Sequence, residues 1–483
     1  MTTTSKISSL GVGSGLDAES IVNQLVALER QPINTLQSKV TQIQTKISAY
    51  GQVKSYVSAL RDAAQKLSGP DLWAGMKAAS SDTNVVNFAT TSGAAVGNYN
   101  VTVNALAAAQ SVASRTGIPS NTAVGAGRLY FEVASSFPTS LDTGNTTAPY
   151  IDVTATDTLS DIRDKINAKN AGVSASIIND ASGARLVMTS SATGTSNAFR
   201  VTATDDSGTI TTGTEGLAAL AYDPSKTIDD GTGAKLNQAA ANASATINGV
   251  TVSSTTNTFT NVMDGITMTV SKLTLSPVSV NVTKDTEAIT KAVTDFASAY
   301  SALSSYLKTS TKYDETSKTA GTLQGDSMAT STLNQFRSLI GANSAASTVF
   351  STLSSVGLEI QSTGTMTVNS TKLNSAMGNL AEMKKLFTNP DTGGGPATEG
   401  MATRLRTLAD SMLSIDGAIT TRTEGLNKAI AENKKRQDAL DGRVALFEKR
   451  LRAQYTALDK AMASISTQSN YVTQMINSFN KNS

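Results

Sequence analysis

Cysteine and histidine are both absent. Without cysteine there are no disulfides, no thiol nucleophile and no thiolate metal ligands. Without histidine the commonest general base and the commonest transition-metal ligand are missing, which excludes Ser-His-Asp catalysis, His-ligated zinc and facial-triad iron. An enzyme built from this chain would have to work with carboxylates, lysine, tyrosine or a borrowed cofactor. Aromatic residues are scarce at 5%, with a single tryptophan, so a large aromatic-lined pocket is not expected. Charge of one sign is also lacking: Lys plus Arg is 40, Asp plus Glu is 38, and a net +2 supplies no field for nucleic acid or an anionic membrane. No stretch approaches the roughly 18 apolar residues of a membrane span. The opening MTTTSKISSLGVGSG has one lysine and no apolar run of signal-peptide length, so a cytoplasmic protein or one exported without a cleaved signal is expected.

What is present is small and polar. Ser, Thr, Ala, Asn and Gly dominate, and 39% of the 483 residues are hydrophobic, enough for cores in two to four domains. From Leu36 the apolar residues form a seam: Leu36, Val40, Ile43, Ile47, Tyr50, Val53, Val57, Leu60, Ala64, Leu67. The alternating 4 and 3 spacing is a heptad pattern with one three-residue slip at Tyr50–Val53. A shorter helix containing Leu25 and Leu28 precedes it, broken at Pro32, and Gly69-Pro70 stops the long helix. The other end of the chain repeats the pattern through Leu426, Ile430, Asn433, Gln437, Leu440, Val444, Phe447, Leu451, Tyr455, Leu458, Met462, Ile465, Ser469, Val472, Ile476 and Phe479, with a slip at Leu451–Tyr455. A helix cannot bury its own stripe. At roughly 1.5–3 kcal/mol per buried Leu or Ile side chain, ten such positions left in water would forgo about 10 kcal/mol or more. The two ends are therefore expected to pair with each other or with neighbouring chains. The polar positions Asn433, Gln437 and Ser469 are candidates for setting register.

Between the ends the period falls to two. Tyr99, Val101, Val103 and Ala105 alternate with polar residues, and Gly, Asn, Thr and Asp punctuate the chain to about Lys284, which predicts antiparallel β structure with short helices. Helices return with the stripe Ile289, Val293, Phe296, Tyr300, Leu303, Leu307, preceded by Asp285 and Glu287. Asp326 and Ser327 are suited to cap a further helix ending at Gly341, and Gly357–Met377 reads as strand, turn, strand and capped helix. In Thr158–Ser190 a helix opens with a capping box, Thr158 and Asp161, and carries Leu159, Ile162 and Ile166 on one face; a strand, a turn and a strand follow.

Two motifs suggest chemistry and fail on context. Gly11-Val12-Gly13-Ser14-Gly15-Leu16 has leucine where a dinucleotide fingerprint needs its third glycine, and no apolar strand precedes it. It reads instead as a pliable segment leading into a helix capped by Asp17 with Glu19 in its first turn. Asp142-Thr143-Gly144 and Asp391-Thr392-Gly393 imitate the paired motif of aspartic proteases, but their flanks have loop composition and not the apolar setting in which two carboxylates share a proton. Trp73 follows Gly-Pro-Asp and is read as a buried residue rather than a domain anchor.

Several segments carry a family resemblance. SSLGVGSGLDAESIVNQLVALERQPI (8–33) with the heptads after it, GNYNVTVNALAAAQSVAS (97–114), TLQGDS (322–327) and the 357–377 unit resemble the bacterial flagellar filament cap (hook-associated protein 2) family; residues 158–190 are similar to a repeat shared by flagellins and hook-associated proteins. The chain departs from the family pattern at Thr363-Gly364, where an Asp-Gly turn is usual, and at Asn369, where Asp is usual. The resemblance implies a multidomain α+β fold, a terminal coiled-coil and helical-bundle leg with inserted antiparallel β-rich head domains. The expected divisions are residues 1–40 with 440–483, a coiled coil; 41–76 with 285–439, a helical bundle with a β-hairpin; 77–110 with 235–284, a β-rich domain; and 111–234, a second β-rich domain containing the repeat.

The function implied is that of a non-enzymatic cap at the filament tip, promoting folding and insertion of exported flagellin and preventing its loss. Another axial protein (a flagellin or hook-filament junction protein) and an adhesive role for the head are the alternatives. The partners implied are copies of the chain, a pentamer being favoured, flagellin, the hook-filament junction proteins and a cytoplasmic export chaperone; no nucleic acid, membrane span, metal or cofactor is called for. The implied location is extracellular, at the flagellum tip, reached by type III export. On this reading the oligomer and filament contacts are Leu36, Val40, Ile43, Ile47, Tyr50, Leu440, Val444, Phe447, Leu451, Leu458, Met462 and Ile465, and Gly11, Gly13, Gly15 and Asp17 form a flexible segment at the foot of the leg.

Overall fold

The structure, a computed structural model, describes residues 17–115, 117–119, 121–138, 148–226, 231–390, 395 and 397–481. Gly11, Gly13, Gly15 and both Asp-Thr-Gly loops lie outside them. The chain divides into a unit made from its two ends, 1–73 with 287–483, and a unit made from the segment between, 74–286.

The first unit is helical. It opens with α1 (Ala18–Glu29), α2 (Gln31–Ser68) and α3 (Pro70–Ala74), the last running to the unit boundary. The inserted segment carries α4 (Leu159–Lys169). The helical unit resumes with α5 (Thr286–Thr311), α6 (Ser327–Ile340), α7 (Ser370–Met377), α8 (Leu380–Thr388), α9 (Met401–Leu413) and α10 (Ala418–Lys481). The break expected at Pro32 falls at Arg30, between α1 and α2, and Pro32 sits in the first turn of α2, where a missing N–H costs nothing and a fixed φ suits the helix. The helix then runs uninterrupted through the slip at Tyr50–Val53 and ends at Gly69. Asp326 caps α6 by accepting from the Met328 N–H at 3.2 Å, and Asn369 caps α7 through Lys372 N at 3.2 Å.

The core of this unit joins Tyr50, Val53, Val57, Leu60 and Leu67 of α2 to Ile289, Val293, Phe296, Tyr300 and Leu303 of α5, with Phe336, Leu386, Phe387 and Leu405. Trp73 is buried in it, its ring 5.6 Å from that of Phe387 and its Nε1–H donating to Leu67 O at 2.8 Å.

The second unit contains the strands β1 (Met76–Ser80), β2 (Val86–Thr90), β3 (Gly97–Ala105), β4 (Ser111–Ala113), β5 (Gly127–Ala134), β6 (Tyr150–Val153), β7 (Val173–Asp180), β8 (Gly183–Ser190) and β9 (Ala198–Thr204). They are followed by β10 (Lys235–Gln238), β11 (Ala243–Ile247), β12 (Val250–Ser254), β13 (Thr258–Met263), β14 (Ile266–Val270) and β15 (Val278–Lys284). The helical unit adds two small hairpins, β16 (Tyr313–Asp314) with β17 (Thr319–Ala320), and β18 (Leu358–Ile360) with β19 (Met366–Val368).

A sheet of order β1-β15-β3-β11-β12 shares one core with a sheet β13-β14-β2, filled by Phe88, Val101, Val103, Phe259, Met268 and Val280. A second core lies among the sheets β10-β4-β8-β7 and β6-β5-β9 and the apolar face of α4. The β11–β12 hairpin turns on Asn248-Gly249, with φ of 47° and 87°, the positive values that a two-residue type I′ turn demands. α4 is held by the capping box, Thr158 and Asp161 bonding each other's backbone, and buries Leu159, Ile162 and Ile166 completely or nearly so.

Because Ile162 is fully buried, Ile162→Ala is expected to cost about 2–5 kcal/mol, read as a lowered urea midpoint. An unshifted midpoint would show that α4 does not contribute to this core.

Candidate functional site

The seam residues fall into three zones. Along α2, Leu36, Val40, Ile43 and Ile47 are half-buried, and from Ala49 onward the stripe is closed inside the helical core. Along α10, Ile419 and Leu426 belong to that same core. Further on, Val444 is buried with Val22 and Val26 of α1 and Ile33 of α2, and Leu440, Phe447, Leu451 and Tyr455 pack around them. α2 and α10 therefore run antiparallel, with Ile33 beside Val444 at one end and Tyr50 near Arg422 at the other. Past Tyr455 the third zone begins. Leu458 is 44% exposed, Met462 38%, Ile465 58%, Val472 52% and Ile476 55%, with Tyr471 and Met475 exposed beside them. Among the described residues nothing covers this stripe.

Two polar clusters hold the paired zones. Asp326, whose side chain is only 1% exposed, accepts from the Tyr50 hydroxyl at 2.6 Å and from Arg422 at 2.7 Å and 3.2 Å, and so ties α2, α6 and α10 at one point. Burial alone would push the Asp326 carboxyl up, but the hydrogen bonds from Tyr50 and Arg422 outweigh it and hold it below the usual aspartate range. Burial, reinforced by the Asp326 charge, raises the Tyr50 hydroxyl well above the usual tyrosine value. At the other end the Arg452 fork donates to both oxygens of Glu19, at 2.8 Å and 2.9 Å, and through Nε to Glu448 at 2.8 Å. This bond lowers the Glu19 carboxyl and fastens the first turn of α1 to α10. Asp17 caps that turn, accepting from the Ser20 N–H at 3.0 Å.

Tyr50 and Val444, expected among the contact residues, are thus closed off within the chain. Leu458, Met462 and Ile465 remain open to a partner. Asn433 turns its amide to the Ala429 carbonyl of its own helix, Gln437 is half-buried and Ser469 is exposed. The seam pattern identified neither Arg422 nor Arg452. Arg452 follows the seam residue Leu451 directly, a flanking position where interhelical ion pairs belong. Arg422 had no comparable signal.

A groove of about 890 Å³ runs along α6 and is lined by Ser327, Thr330, Ser331, Asn334, Gln335 and Arg404 among others. Leu339, Ala342 and Leu408 line it beside the hydroxyl and amide groups, and its carboxylate, Asp326, is held by Tyr50 and Arg422. Among the described residues no group of three or more acids stands in metal-binding arrangement, and no helix is long and apolar enough to cross a membrane.

Residues 14–110 match "Flagellar hook-associated protein 2 N-terminus", residues 240–467 match "Flagellar hook-associated protein 2 C-terminus", and residues 140–192 match "Flagellin hook IN motif". The chain is 32% identical over 479 residues to flagellar hook-associated protein 2 of Escherichia coli (strain K12), covering 97% of each. It is 30% identical over 467 residues to the B-type flagellar hook-associated protein 2 of Pseudomonas aeruginosa, covering 93% of each. The crystal structure of the D1-D2-D3 domains of the flagellar cap protein from Escherichia coli superposes with a TM-score of 0.60 at 29% identity, covering 78% of this chain and 99% of that one.

Asp326→Ala is expected to destabilise the helical unit by about 3 kcal/mol, the lower end for breaking one side of a buried ion pair, because Arg422 stays 40% exposed. Tyr50→Phe should cost about 1 kcal/mol. Because the folded state lowers the Asp326 carboxyl, its contribution is complete above the ordinary aspartate value and is lost as pH falls below it. Urea titrations of wild type and Asp326→Asn across that range should therefore converge toward low pH. Parallel curves would contradict the assignment.

Proposed function

The chain belongs to the flagellar hook-associated protein 2 family, and from that premise we propose how it works as a flagellar filament cap. The observation that carries the proposal is the change along α10: up to Tyr455 the seam is closed by α1 and α2, and from Leu458 to Ile476 it is open. Burying five half-covered side chains of this size is worth on the order of 5 kcal/mol. That suits a contact that holds at the filament end and can still be broken when the cap advances. The stripe's partners are the subunits at the filament end and neighbouring copies of the chain, a pentamer being favoured. Flagellin, the hook-filament junction proteins and an export chaperone complete the set, and the protein acts outside the cell after export without a cleaved signal.

The role is non-enzymatic: surfaces hold and position subunits while exported flagellin folds and inserts. Four separate hydrophobic cores support the division into 1–40 with 440–483, 41–76 with 285–439, 77–110 with 235–284, and 111–234.

A strain lacking the protein should build short filaments or none and shed flagellin into the medium; full-length filaments in that strain reject the cap role. Complementation with Ile465→Asp tests the stripe separately. Its side chain is 58% exposed, so circular dichroism and melting should match wild type while filament length falls sharply. Leu451→Asp, by contrast, should loosen α1 as well. Full-length filaments with Ile465→Asp would show that the open stripe is not a working contact.

A further inference from the structure

Sheets end in strands whose outer N–H and C=O groups are unpaired, and such edges invite pairing with another chain. Two of the outer strands, β9 and β7, treat that problem differently. On β9 the outward residues are Phe199, Val201 and Ala203. Phe199 exchanges both backbone bonds with the side-chain amide of Gln110, at 2.8 Å and 3.2 Å. Val201 exchanges both with the backbone of Tyr222 at 2.8 Å, and Ala203 O accepts from Thr211 N at 2.9 Å. The edge is closed along its length.

β7 bonds only to β8. One outward residue is closed: the Asn167 side chain on α4 donates to Ala175 O at 2.9 Å and accepts from Ala175 N at 2.8 Å. The primary amide copies the donor and acceptor spacing of a neighbouring strand. Since antiparallel strands alternate inward and outward residues, Ile177 and Asn179 are the next outward positions, and neither has a backbone partner off β8 among the described residues. Ile178 between them is 55% exposed. With Asn167 in place the open edge is two outward residues long. Without it, the outward residues Val173, Ala175, Ile177 and Asn179 form a continuous run, of which the last three alone could exchange six backbone hydrogen bonds with an identical edge.

We propose that Asn167 is an edge guard: its amide keeps β7 too short to pair with the β7 of a second copy. The occupant it excludes is a second copy because antiparallel pairing of two identical edges is self-complementary and closes as a two-fold dimer. α4 provides the means, since its capped, buried face fixes the helix against β7 and Asn167 follows directly on the buried Ile166.

The test uses the full-length chain in analytical ultracentrifugation over a hundredfold concentration range, with wild type, Asn167→Ala, and Asn167→Ala combined with Ile178→Lys. Asn167→Ala should show a concentration-dependent species of twice the mass of the wild-type species. Adding Ile178→Lys should abolish it, because a charge beside the paired edge opposes association. In hydrogen exchange the Ala175 amide of Asn167→Ala should exchange at least tenfold faster than wild type at low concentration and regain protection at high concentration. Sedimentation identical to wild type at every concentration would overturn the proposal. So would association that Ile178→Lys leaves intact, which would make Asn167 a structural ligand of the helix only.

Discussion

The helical unit rests on one constraint: neither terminal stripe can be buried by its own helix. α10 reaches solvent exclusion at Val444 only because Val22, Val26 and Ile33 return to meet it from the far end of the chain. Everything inserted between must therefore bring the chain back to where it left. The β unit meets this requirement with its outermost pairing. Its first strand lies antiparallel to its last, Met76 opposite Lys284, and Asp285 N bonds Gly75 O at 3.0 Å just beyond. The strands that open and close the insertion are thus hydrogen-bonded to each other.

Hydroxyls along α2 are satisfied within their own helix. Along α2 the hydroxyls of Thr35, Ser38, Thr41, Thr45 and Ser48 each donate to the carbonyl four residues earlier. Such back-bonding gives little stability but leaves each hydroxyl paired. A surface of this kind can be covered and uncovered by a neighbour at small desolvation cost, which matches the near-neutral charge and the shortage of aromatic anchors in the composition. The ion pairs that matter are few and sit at helix ends or crossings, where Asp326 and Arg452 each hold more than one partner.

Much of the helical architecture was legible in the sequence because it is periodic and capped. Asp326 and Gly341 bracket α6, Thr158 and Asp161 open α4, and the Gly357–Met377 unit is strand, turn, strand and helix. Capping and period are local, so a single sequence carries them. The break between α1 and α2 was legible to within two residues: it falls at Arg30, and Pro32 opens the first turn of α2. The pairing of Asp326 with Arg422 was not legible, since residues 96 apart meet only through the fold. The same holds for strand order: the alternation in Tyr99–Ala105 announced a strand, but nothing local said that β3 would lie between β15 and β11. For the candidate site, the sequence named the stripe but not where shelter ends, because that depends on how far α1 reaches along α10.

The Glu19–Arg452 clasp joins residues 433 apart in sequence. Loop-closure entropy grows only logarithmically with such a separation, so the thermodynamic toll is modest, but the search is long. The inserted 74–286 segment is continuous and holds both of its cores within itself. In a chain that becomes available from its first residue onward, this segment can complete its structure while α1 and α2 still wait for α10. The residues of α1 are then among the last to be secured. The stretch of α10 from Leu440 to Tyr455 decides when α1 is secured.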